Sequence, residues 1–158
     1  LKDLALGLPT ANNFVKGASF SPDGTCLLTS SDDAVLRVFE VPSNALRAVR
    51  HEEWSPCLYS VEGETIYDFA WYPHMSSAEP ATSVFVSTSR DHPLHMWDAF
   101  TGNLRATYRA YDHLDEVVAA NSVCFNTGGD KIFAGILVGV ELFTKKKKNT
   151  LQNQSSTL

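Results

Sequence analysis

Residues 28–40 of the chain align without a gap on residues 86–98. Asp33 falls on Asp91, Leu36 on Leu94, Phe39 on Trp97 and Glu40 on Asp98. A repeated unit of this size cannot bury its own faces, so neighbouring copies must stack. Each copy reads as a strand, a tight turn led by an Asp, and a second strand ending in an aromatic–acid pair. The strands alternate with period two, as in Leu36-Arg37-Val38-Phe39, which excludes a helical reading. Asp33 and Asp91 suit the turn because a carboxylate there accepts backbone N–H bonds. After Trp97-Asp98, residues 99–103 read as a loop. Residues 104–109 then read as an outer strand, polar at alternate positions.

Three further segments repeat around an aromatic at a strand end: Phe20, Trp71 and Phe125. They lie 51 and 54 residues apart (71 − 20 and 125 − 71). Pro22-Asp23-Gly24 is strong turn chemistry, since Pro fixes φ and Gly accepts φ > 0. The period exceeds the roughly 40–45 residues of a WD-type blade. The excess falls in a long connection, 42–63, and in an insertion, 74–82, within the second repeat. The insertion is expected to be a surface loop, with a binding loop as the sharper alternative.

Composition narrows the function classes. The chain has 158 residues, 20% of them charged, and a formal net charge of -5. A whole-surface basic footprint is excluded, so any nucleic-acid contact must be a local patch. The longest apolar and glycine run, 132–140, is too short to span a bilayer, and no membrane association is expected. The start, Leu1-Lys2-Asp3-Leu4, has neither a signal-peptide pattern nor an initiator Met, which reads as a piece or a processed form. Cys26, Cys57 and Cys124 form no C-x-x-C pair, which argues against a zinc site and a disulfide framework. Cys26 and Cys124 fall on expected strands and read as buried small hydrophobes. His92 and His95 would face opposite sides of a strand with no completing ligands, so no metal is expected. No G-x-S-x-G, phosphate loop or activated nucleophile is present, so neither catalysis, a cofactor nor a small-molecule substrate is expected.

The repeats with Trp97-Asp98 resemble WD-repeat β-propellers. Longer runs resemble one family among them, the telomerase Cajal body protein family. These are Thr65 to Tyr72 with Met75-Ser76-Ser77-Ala78, His95 to Gly102 leading to Tyr111 to Glu116, and Asn13 to Gly17 before Phe20 to Gly24. The resemblance covers about residues 13–135. It implies an all-β, incomplete WD-repeat propeller of two to three blades: blade one about 13–62, blade two about 63–111, and a partial blade three about 112–143. An N-terminal segment, 1–12, precedes them, and a disordered Lys-rich tail, 144–158, follows.

The functional implication is a non-enzymatic RNA-binding scaffold. It would bind small Cajal body RNA and, in animals, telomerase RNA, together with ribonucleoprotein proteins. It would localise them to Cajal bodies in the nucleus, with the cytoplasm as a second compartment. A generic protein-binding platform without an RNA role is the alternative.

Asp33, Phe39, Asp91, Trp97 and Asp98 carry the structural repeat, and Trp97 is expected to pack between blades. RNA contact needs cations for phosphate and aromatic or Arg planes for unpaired bases. The candidates by type and position are Lys16, Tyr72, Arg90, His92, Tyr111 and His113. His113 precedes the third repeat, where WD repeats often place a His that hydrogen-bonds the blade. Leu137 stands where that blade's turn should have its Asp. The loss of pattern at Gly135 predicts that 136–158 is an out-of-frame, intron-read or alternatively spliced end.

Overall fold

The computed structural model describes residues 12–42, 54–111, 114, 116–137 and 139–144. Among these residues the only regular elements are β-strands. The first sheet contains β1 (Val15–Phe20), β2 (Cys26–Ser31), β3 (Val35–Glu40) and β4 (Leu58–Val61) in that order. The second contains β5 (Ile66–Trp71), β6 (Val84–Ser89), β7 (Leu94–Asp98) and β8 (Leu104–Tyr108). A short ribbon of β9 (Ala110–Tyr111) and β10 (Val117–Val118) leads to the third sheet. That sheet holds β11 (Ser122–Phe125), β12 (Lys131–Ile136) and β13 (Gly139–Thr144). All pairings are antiparallel.

The aligned segments fold alike. Leu27 pairs with Phe39 in the first sheet, Phe85 with Trp97 in the second, and Ile132 with Phe143 in the third. Opposite sheet faces then meet in two apolar cores. Leu28, Leu36 and Val38 of the first sheet pack against Ile66, Trp71, Phe85 and Trp97 of the second. Val84, Val86, Leu94 and Met96 on the second sheet's other face pack against Val123, Ile132, Ala134 and Phe143. Alternation along each strand supplies both faces, so each internal sheet is buried on both sides. Polar links tie the same seams. Trp71 Nε1 donates to Ser19 O at 3.1 Å, and the Val123 N–H donates to Asp68 Oδ2 at 2.9 Å. The described sheets stack side by side without closing a ring. Phe20 of the first sheet is therefore 59% exposed, whereas its counterpart Trp71 is buried and Phe125 half-buried.

Three expectations change in the structure. The outer strand β4 lies inside what reads as a connection, 42–63. The pattern also does not stop at Gly135: β13 pairs with β12 from Lys131↔Thr144 to Ile136↔Gly139. Six paired positions carry that hairpin without an Asp-led turn. Cys124 is exposed rather than buried, because it lies on an inner-strand face that no described residue covers. The insertion is the surface loop expected, exposed over residues 77–81, and it is pinned to its neighbours. Met75 is buried in the first core, Ser77 N–H donates to Asp23 Oδ2 at 2.7 Å, and Arg105 donates to the Pro80 and Ala81 carbonyls. The tail expected at 144–158 lies, beyond Thr144, outside the described residues.

Candidate nucleic-acid interface

Strand direction sorts the loops into two ends. Turns 21–25, 72–83, 99–103 and 126–130 lie at one end. Turns 32–34, 62–65 and 90–93 and the β9–β10 ribbon lie at the other. Of the RNA candidates, Lys16, Arg90, His92 and Tyr111 belong to this second end. Tyr72 does not: it follows Trp71 at the opposite end and packs edge-on against Phe125, ring centroids 5.7 Å apart. It is a seam residue between the second and third sheets and cannot share a surface with Arg90. His113 lies outside the described residues.

The rim at the second end rests on a buried polar centre that sequence reasoning missed. Glu62 is only 4% exposed. Its Oε2 accepts from His95 Nδ1 at 2.8 Å and from the Ser89 hydroxyl at 3.1 Å, and its Oε1 accepts from the Ser87 hydroxyl. Trp97 Nε1 in turn donates to Ser87 Oγ at 2.7 Å. Burial pushes the Glu62 carboxyl up, but the bonds from His95, Ser87 and Ser89 outweigh it and hold it below the ordinary carboxylate range. Four residues of the second sheet are thereby locked to the turn that precedes it. The signal available in sequence was weak: a lone Glu in the connection before blade two, as His113 is in the connection before blade three.

The structural repeat residues divide unevenly. Asp33 Oδ1 accepts from Val35 N–H at 3.3 Å, and Arg37 clasps both Asp33 oxygens, at 3.1 and 2.6 Å. Asp98 caps the opposite end, accepting from Phe100 and Thr101 N–H at 2.7 and 3.0 Å and from Arg105. Trp97 is buried between sheets. Asp91 departs from the expectation, since it adopts a left-handed φ of 56° itself, whereas in the first sheet that conformation falls one residue later, on Ala34. The gapless alignment thus hides two different turns. An Asp visits the left-handed region more readily than most residues, which makes Asp91 a backbone choice as much as a cap.

Above the Glu62 centre, two turns interlock. Arg90 N–H donates to Thr65 O at 2.9 Å, and His92 Nδ1–H donates to Arg90 O at 2.6 Å. The His92 ring lies over Gly63, where a Cβ would sit 2.5 Å from Nε2, so any larger residue there would displace the ring. Arg90 Nε reaches the Tyr67 hydroxyl at 3.3 Å. Lys16, on the adjacent inner strand, is 3.8 Å from Asp32. Exposed acids, Asp32, Glu64 and Asp91, intersperse with Lys16 and Arg90, so the rim carries mixed charge. The rim therefore presents no basic field. Among the described residues, no group of three or more His, Cys, Asp or Glu could hold a metal ion.

Stacked four-stranded sheets with an inter-sheet Trp and Asp-led turns define the class: a WD-repeat protein. The family described as WD domain, G-beta repeat matches residues 7–40. Telomerase Cajal body protein 1 of Homo sapiens is 49% identical over 135 residues, covering 84% of this chain and 25% of that protein. The Bos taurus protein of the same name is 47% identical over 138 residues, 85% of this chain and 26% of its own length. A Drosophila melanogaster homolog is 40% identical over 144 residues, 84% of this chain and 26% of its own length. The chain belongs to the telomerase Cajal body protein family. It spans about a quarter of the length of these curated relatives.

Proposed function

We propose that this chain is a non-catalytic docking element of a ribonucleoprotein scaffold, and that its second-end rim contacts RNA. The RNAs would be small Cajal body RNAs and, in animals, telomerase RNA. Their localisation would be to Cajal bodies in the nucleus. The observation that carries the reading is the interlocked rim built on Glu62, which holds Arg90 and Tyr67 exposed over a rigid base. Its relatives' names point the same way. Single-stranded RNA loops are contacted by such aromatic and guanidinium planes together with cations on the backbone, which Lys16 and Arg90 supply locally. The mixed charge of the rim favours one competing reading, a platform for a protein partner.

Crosslinking in cells followed by RNA sequencing tests the proposal. Recovery of loop-bearing Cajal body RNAs above a non-crosslinked control is expected. Recovery of protein partners with RNA at background would contradict it and support the platform.

A further inference from the structure

The ladder between β1 and β2 shifts register between Val15 and Gly17, and the ladder between β5 and β6 shifts between Ile66 and Asp68. The residues displaced are Lys16 and Tyr67, which occupy the same place in two successive inner strands. A bulge releases one residue from strand pairing and re-aims its side chain, and bulges recur where proteins bind. Both displaced residues are exposed at the rim, Tyr67 at 43%. Inner strands β1 and β5 are in contact, so the two positions belong to neighbouring blades.

We infer that these inner-strand bulges are a base-stacking position, with Tyr67 stacking an unpaired RNA base beside Arg90, and Lys16 neutralising the phosphate next to it. This rests on the RNA reading above and specifies its contact. Arg90 supports it in a way stability does not explain. Its backbone is held by Thr65 and His92, and its side chain by the Tyr67 hydroxyl. Ordering an exposed Arg costs side-chain entropy, and a single surface hydrogen bond returns little stability. A side chain ordered in advance lowers the cost of binding a planar ligand. Phenol and guanidinium both offer faces to a base, and stacking tolerates any base because every base has a π-face. Lys16 suits the phosphate because its ion pair with Asp32 is exposed, and such pairs exchange partners readily.

The test uses the purified full chain and fluorescein-labelled single-stranded oligo(A) and oligo(U) octamers, read by anisotropy over a salt series. Tyr67→Ala is expected to weaken binding about tenfold or more while leaving the salt slope unchanged. Tyr67→Phe keeps the ring but releases Arg90; it should bind more weakly than wild type yet clearly more tightly than Tyr67→Ala, and guards against misfolding as the cause of loss. Lys16→Ala is expected to weaken both oligomers equally and to lower the salt slope by about one. Wild type that binds neither octamer, nor RNA extracted from cells, would overturn the RNA reading and this inference with it. Wild type that binds RNA with Tyr67→Ala unchanged would overturn this inference alone.

Discussion

Replacing Glu62 with Ala probes the base of the rim most sharply. The substitution removes an acceptor from three donors, the Ser87 and Ser89 hydroxyls and His95 Nδ1–H, of which both hydroxyls belong to fully buried residues. Each orphaned buried donor costs about 1–3 kcal/mol, and reorientation of Ser87 toward other acceptors recovers part of that. A net loss of about 3 kcal/mol follows, consistent with breaking one partner of a buried charged network. With a urea m-value of about 2 kcal/mol/M, the midpoint should fall by about 1.5 M. The depressed Glu62 carboxyl fixes the pH dependence. Its folded-state value lies below its ordinary 4.5, so its contribution is complete above that ordinary value and is lost as pH falls through the lower one. The gap between wild type and Glu62→Ala should therefore stay constant from neutral pH down to about 5 and narrow only below 4.5. Urea melts at stepped pH, followed by tryptophan fluorescence, read both quantities. A Glu62→Ala midpoint within about 0.3 M of wild type at neutral pH would refute the reasoning.

Three further outcomes follow from the packing. Phe85→Ala empties a site with no solvent exposure in the first core, and the chain should lose about 3–5 kcal/mol in chemical denaturation. Asp23→Ala removes the acceptor of the Ser77 N–H; limited proteolysis should then cut within 76–81 several-fold faster, with global stability changed by about 1 kcal/mol. Trp71→Phe leaves a smaller ring in the seam and breaks the bond to Ser19 O, so denaturation should show a loss of about 1–3 kcal/mol from the lost bond and the volume left behind.

Much of the fold was legible because its logic is local and periodic. Two gapless segments gave the central hairpins of two sheets, and the aromatics Trp71 and Phe125 landed in the seams. Pro22-Asp23-Gly24 forms its turn with Gly24 at φ 73°. The rest was hidden for physical reasons. Strand β4 is an outer strand of four residues inside a long connection, too short to show a period. Strand β13 falls within the partial blade three expected to about 143, and only its turn lacked a signal, since Leu137 stands where an Asp leads the other hairpins while six backbone pairs hold the strand. Residue type picked out Lys16, Arg90, His92 and Tyr111, which topology places at one end, but could not separate Tyr72, whose end of the strand only topology decides. Glu62 and Tyr67 escaped because neither a buried lone carboxylate nor a one-residue register shift leaves a motif.

The rim as an RNA-contact surface is the central claim, and one measurement addresses it directly. The chain is expressed in cells and crosslinked by ultraviolet light, and nucleotide-adducted peptides are mapped by mass spectrometry. The account predicts adducts on peptides containing Tyr67 and residues 90–92. Adducts confined to the opposite end, at 72–83 or 99–103, or none above the non-irradiated control, would contradict it.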